Sequence, residues 1–260
     1  MSEIDGVLLD VDGVLTVSWE PLPGAVETLA WLRAHDVPFR LITNTTTHTR
    51  AALAETLSDA GLVVAPNEIV TAVIATAAHL REVHPGAAVF LLSDGDARAD
   101  LEDVRLVDAD ATADVVVLGG AFEGFDYPTM NRVFRMLMDG AALVAMHRNL
   151  YWRTSDGWQL DGGAYVAGLE EASGTRAVVC GKPAEAHFAA ALTQLGVPAD
   201  RAAMVGDDVV NDVLGAQAAG LRGVLVRTGK FREQDLATAS GTPDVELDSI
   251  ADLPDLLAPS

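Results

Sequence analysis

Cysteine is nearly missing from this chain. Cys180 stands alone, which excludes an intrachain disulfide and any multi-cysteine metal centre. Lysine is almost as scarce: of 17 basic residues only Lys182 and Lys230 are lysines, the rest being arginine. A lysine kept inside a motif therefore asks for a chemical reason, because ammonium and guanidinium are not interchangeable. Basic charge is short overall, with a formal net charge of −21. That balance opposes non-specific binding to nucleic acid or to anionic membranes, both of which need basic surface. Long apolar runs are absent too, since Gly, Asp or His interrupts each of them, so no membrane span is expected. Residues 1–5 are acidic and lead straight into an apolar run, which does not read as a signal peptide. A cytoplasmic protein is expected.

What is present is a large apolar complement. Half of the 260 residues are hydrophobic, enough for one large domain or two ordinary ones. Short apolar runs alternate with helical spacing. The pattern predicts strands over 7–9, 39–43, 88–92, 115–118, 143–146, 178–180, 202–205 and 223–226. Helices are expected over 25–35, from Thr46 or Thr47 to 60, and over 68–83, 127–138, 164–172, 184–195, 209–219 and 250–257. Such alternation implies a parallel α/β sheet covered on both faces. A polar, aromatic stretch over 147–159 breaks the rhythm.

The organising segment is Asp10-Val11-Asp12-Gly13. Residues i and i+2 project to one side of an extended chain, so both carboxylates can face the space beyond the strand. Three further groups follow predicted strands: Thr43 and Asn44, Lys182 in Gly-Lys-Pro, and Asp207 and Asp208 in Gly-Asp-Asp. In open α/β sheets, ligands bind beyond the carboxyl ends of strands. Each signal alone is an ordinary turn or helix start; in this order at strand ends they converge on one site. Carboxylates Asp10, Asp12, Asp207, Asp208 and Asp212 would repel there, at roughly 4 kcal/mol for two charges ~4 Å apart at an effective dielectric near 20. A hard divalent cation relieves this, and Mg²⁺ prefers a few carboxylates, retained waters and a phosphate oxygen. Asp212 lies one helical turn after Asp208, placed either to hold a metal-bound water or Asp207, or to face solvent.

The order DVDGVL, TNT, GKP, GDDVVND resembles the haloacid dehalogenase superfamily of phosphotransferases along nearly the whole chain. The long interval between Asn44 and Gly181 resembles the C2-type cap insertion of its class IIA phosphatases. The Gly-Lys-Pro, Gly-Asp-Asp and Val226-Arg227-Thr228-Gly229-Lys230-Phe231 segments are similar to the phospholysine phosphohistidine inorganic pyrophosphate phosphatase branch. The enzyme that gives the branch its name has Ser where this chain has Asp12, which favours ordinary phosphomonoester chemistry here. The resemblance implies a doubly wound, Rossmann-like α/β core over 1–75 and 177–260, with an α/β cap over 76–176. It implies Asp10 as nucleophile, Asp12 as general acid and base, and Thr43, Asn44 and Lys182 as phosphoryl-binding groups. For Mg²⁺ it implies Asp10, Asp12 (through its backbone carbonyl), Asp207 and Asp212. The expected substrate is a small phosphorylated metabolite, phosphate monoesters first and pyrophosphate second. A homodimer through the cap is an expectation of the same origin.

Two other classes compete. A phospho-receiver or binding module also sets acidic groups, Thr and Lys at strand ends, but needs neither Asp12 nor a cap. A phosphomutase of the same superfamily would return the phosphoryl group to its product. Gly174 to Lys182 is no P-loop, because Pro183 stands where Ser or Thr should follow the lysine. Cys180, in a predicted buried strand, reads as inert, and His147 and His187 as structural or surface residues. Specificity is expected in the cap stretch 147–153, with Arg148 and Trp152 as the principal contacts.

Overall fold

The computed structural model describes residues 4–258, so the acidic start over 1–3 lies outside the described residues. Gly6–Leu9 is the hub. It pairs in parallel with Ala202–Gly206 on one side and with Phe39–Thr43 on the other. Arg222–Val226 and Val245–Leu247 extend the first side, and Ile69–Thr71 closes the second, giving six parallel strands. Chain order reverses beside Gly6–Leu9, which opens a crevice at the carboxyl ends. Val7 and Leu9 enter one buried cluster and Leu8 another, as expected of a strand covered on both faces.

A second parallel sheet lies within the long interval. Its strand order is Ala177–Val179, Ala142–Ala145, Val115–Leu118, Val89–Leu92 and Leu106–Val107. Val116 and Leu118 face one buried cluster, Val115 and Val117 the other. Ala177–Val179, given to the core by the sequence reading, is the edge of this second sheet instead. It follows the cap helix Gly162–Ser173 after a single short turn, and so pairs where that helix leaves it.

Three local expectations shift. The helix expected over 68–83 begins only at Ala72, because the β-branched run Ile69–Thr71 pairs with the core sheet and Thr71 caps the helix that follows. The second helix is capped by Thr49, not by Thr46 or Thr47; Thr46 Oγ1 instead accepts from the cap's Gly120 N–H at 2.7 Å. The aromatic stretch after residue 147 forms an antiparallel hairpin, Tyr151–Thr154 against Gly157–Leu160. Its turn faces a smaller hairpin of the core, where the Ser155 N–H donates to Ser18 Oγ at 3.0 Å. Ser18 and Trp19 occupy left-handed backbone, as a two-residue hairpin loop demands.

Candidate active site

The sheet brings the sequence-predicted groups together. Asp10 directly follows Gly6–Leu9, and its main-chain N–H donates to Val205 O at 3.0 Å, so the neighbouring strand fixes where the carboxylate leaves the sheet. Lys182 Nζ lies 2.7 Å from Asp10 Oδ1 and 2.8 Å from Asp212 Oδ1. All three side chains are buried. Burial alone would lower the Lys182 pKa, yet the two carboxylates hold it above the ordinary lysine range. The ammonium is therefore charged and sits between the groups it neutralises.

Asp207 and Asp212 are held separately. Asp207 Oδ2 accepts the Lys230 N–H at 2.7 Å, whereas its Oδ1 is buried without a hydrogen-bond partner. Asp212 Oδ2 accepts the Asp208 N–H at 3.1 Å, and at 1 % exposure Asp212 does not face solvent. Asp10, Asp207 and Asp212 each offer an oxygen, all within 4.8 Å of one another. Burial pushes Asp207 well above the usual carboxylate range and Asp212 up to about 7, with neighbouring carboxylate charge adding to both. Three oxygen donors, one of them orphaned, fit a hard divalent cation of the magnesium kind and not a soft one. Space here is tight: a Cβ at Gly13 would lie 2.0 Å, and at Gly229 2.1 Å, from Asp207 Oδ2.

Asp12 does not join this cluster. Thr45 Oγ1 donates to its Oδ2 at 3.4 Å, and burial raises its pKa despite the nearby Lys182 charge. That is the state a general acid needs. Asp208 also points elsewhere. Its Oδ1 caps the following helix through Val210 N–H and Asn211 N–H, and its Oδ2 meets Lys230 Nζ at 2.8 Å. Burial would raise its pKa, but the Lys230 ammonium and these donors bring it down to about 2.

Thr43 Oγ1 accepts the Thr45 N–H at 3.0 Å and lies on the cavity wall. The Asn44 side chain is engaged differently: it accepts the Lys182 N–H at 2.8 Å and donates to Lys182 O at 3.1 Å. It thus clamps the lysine loop to the core, so its side-chain amide is not the phosphoryl contact that the resemblance implied.

Several residues take their place in the site only in the tertiary structure. Lys230, half-buried, meets Asp208; in the sequence it stood out by the scarcity of lysine and by its place in the Val226–Phe231 segment. Asn149 descends from the cap; its Oδ1 accepts from Asn44 at 3.3 Å and from Asn211 at 3.1 Å. His147 is buried on the wall, with Nε2 3.4 Å from Asp161 Oδ1 and Nδ1 accepting the Asn149 N–H. Burial lowers its pKa, so the ring is neutral. Arg148 is a correction. Its guanidinium pairs with buried Glu170 at 2.5 Å and faces away from the Asp10 cavity. Trp152 and Arg153 line that cavity instead, together with Trp19, Phe122 and Tyr165.

A family model described as haloacid dehalogenase-like hydrolase matches residues 7–106, and a second model for HAD-like hydrolases matches residues 179–253. The phospholysine phosphohistidine inorganic pyrophosphate phosphatase of Rattus norvegicus is 36 % identical over 263 residues, covering 99 % of this chain and 95 % of its own. Among solved structures, a p-nitrophenyl phosphatase from Archaeoglobus fulgidus superposes with a TM-score of 0.89 at 29 % identity, over 98 % of this chain and 100 % of its own. A glycerol phosphate phosphatase from Mycobacterium tuberculosis in complex with magnesium gives 0.86 at 27 % identity, over 98 % of this chain and 79 % of its own.

Proposed function

The chain belongs to the haloacid dehalogenase-like hydrolases and is a phosphatase of that family; from this we propose that it hydrolyses small phosphate monoesters, with Mg²⁺, through an aspartyl-phosphate on Asp10. The observation that carries the reading is the Asp10 carboxylate at the strand end, between the Lys182 ammonium at 2.7 Å and the partnerless Asp207 oxygen. Asp10, Asp207 and Asp212 would hold the cation. Bound there, Mg²⁺ would supply positive charge offsetting the carboxylates and the phosphoryl group.

An Asp10 carboxylate oxygen attacks phosphorus, forming the acyl-phosphate bond as the bond from phosphorus to the leaving oxygen breaks. Asp12, whose pKa burial raises, delivers a proton to that oxygen. It then takes a proton from the water that attacks phosphorus, releasing phosphate and restoring Asp10. Lys182 offsets the charge that collects on Asp10 and the phosphoryl oxygens throughout, and the Thr43 hydroxyl orients one of those oxygens. Catalysis of this type is mostly positioning and electrostatic stabilisation.

Phosphate release from phenyl phosphate should require magnesium and cease in excess chelator. Asp10→Asn should lose at least about 10³-fold in kcat, since an amide cannot form the acyl-phosphate. Turnover that survives either treatment would remove Asp10 and the cation from the mechanism.

A further inference from the structure

Aromatic side chains make up only 5 % of the sequence, with 4 Trp, 3 Tyr and 7 Phe. Five of them, Trp19, Phe122, Phe125, Trp152 and Tyr165, line the one cavity that opens above Asp10. They come from three parts of the chain: the core hairpin loop, the loop after Val115–Leu118, and the cap hairpin with the helix behind it. Phe122 and Trp152 stand 6.5 Å apart, centroid to centroid. Phe122 remains 56 % exposed at the mouth. Holding large apolar rings at a wet opening costs burial that a core would have supplied, and a ligand that covers them restores it. The Asp10 end of the cavity is polar and suits a phosphoryl group. The mouth suits a flat apolar body.

Charge adds a second constraint. Lys182 is paired with Asp10 and Asp212, Lys230 with Asp208, Arg148 with Glu170, and Arg232 with Asp235. Arg153, also on the cavity wall, has no ion-pair partner among the described residues. Its guanidinium lies 4.9 Å from the Trp158 ring centroid, directly across the hairpin. Stacking on that ring holds the fork in place and leaves its N–H edges free to donate to an anion. In a chain of net charge −21, one uncompensated cation beside an apolar mouth is a recognition element.

We infer that the preferred substrate is the phosphate monoester of an aromatic alcohol carrying a second anionic group such as a carboxylate, the ring lying against Trp152 and Phe122 and the anion meeting Arg153. This rests on the phosphatase reading above and adds the leaving group to it. Arg153 is then a specificity residue, remote from the reacting atoms.

The test compares three phosphoryl donors in saturating magnesium: the esters 4-carboxyphenyl phosphate and phenyl phosphate, and acetyl phosphate, an acyl phosphate with no ring. The wild type should favour them in that order by kcat/KM, apart from the intrinsic lability of acetyl phosphate, measured without enzyme. Arg153→Gln should lower the ratio of carboxyphenyl to phenyl phosphate about tenfold, equivalent to about 1.4 kcal/mol, and Arg153→Lys should restore part of it. Trp152→Ala should lower both aryl esters relative to acetyl phosphate by a similar factor. A carboxyphenyl-to-phenyl ratio unchanged by Arg153→Gln overturns the role of Arg153, and an aryl-to-acetyl ratio unchanged by Trp152→Ala overturns the ring site. No phosphate release from any of the three would instead overturn the phosphatase reading itself.

Discussion

Lys230 contributes two things to the site from one position. Its main-chain N–H fixes Asp207 Oδ2, and its ammonium neutralises Asp208 at 2.8 Å. Removing the ammonium leaves Asp208 largely desolvated without its counter-ion, a loss of about 1–3 kcal/mol. Lys230→Met should therefore lower the unfolding free energy by that amount in denaturant melts. Adding Asp208→Asn should recover much of it, because the orphaned charge is gone. Additive losses in that double-mutant cycle would show that the two side chains are not coupled. Asp10, Asp12, Thr43, Lys182 and Asp207 were legible as a group because each sits at or just past a strand end; Asp212 lies in the helix after Gly206, and its spacing from Asp208 left it between the site and solvent. Asn149 was not legible, since its partners Asn44 and Asn211 are 105 and 62 residues away, and no local pattern marks an amide that bridges two bodies. Arg148 misled for the opposite reason: it follows a strand end like Asp10 and Asp207, but Glu170 on the next helix draws it off.

At the scale of elements, the turns decide how closely the motifs approach. Gly13 has φ +89°, and a Cβ there would fall 2.0 Å from Asp207 Oδ2; Gly86 has φ +74° with nothing within 4 Å. Both positions penalise a side chain through the backbone by about 1 kcal/mol, but only Gly13 adds crowding. Gly86→Ala should lose roughly that much stability and keep full turnover. Gly13→Ala should lose more and drop kcat at least about tenfold, as Asp207 is pushed from its place. Equal effects in the two variants, read by denaturant melts and phosphate release, would mean that the turn tolerates the contact. Element boundaries were legible where the apolar period changed cleanly, as at Phe39–Thr43, Val115–Leu118 and Tyr127–Met138. They were hidden at Ile69–Thr71, where three β-branched residues run without punctuation into an alanine-rich helix. The cap hairpin was hidden too, because its strands are held by cross-strand ring and guanidinium contacts instead of an alternating apolar face.

At the scale of the whole molecule, a buried histidine of the core couples folding to acid alongside the site carboxylates. His187 is fully buried in the helix Glu185–Leu195. Burial, with the Lys182 charge, holds its pKa down to about 3. The unfolded chain binds a proton here below its ordinary pKa of about 6.5, while the folded chain stays neutral. Stability must then fall as the pH drops from about 6.5 towards 3, at up to about 1.4 kcal/mol per pH unit from this residue. Asp208, held at about 2, works in the same direction only between about 4 and 2, so the histidine acts first. Relative to wild type, His187→Met should flatten the fall in unfolding free energy between pH 6.5 and 4.5 in magnesium-containing buffer. Parallel curves would place the acid response elsewhere.

The path of the chain into Lys182 has a kinetic consequence. The edge strand of the cap sheet ends at Val179, and only Cys180 and Gly181 separate it from the lysine. From the core side, Asn44 grips both the N–H and the carbonyl of Lys182. A swing of the cap would pull the ammonium from Asp10, so charge compensation and cap position form one mechanical unit without slack between them. This coupling predicts that substrates enter and leave through a standing opening, with no large excursion of the cap during turnover. Where lid motion limits an enzyme, turnover slows in proportion to the viscosity of the medium. Here kcat should stay level as sucrose is added to raise viscosity several-fold, and a proportional decline would reveal a moving cap.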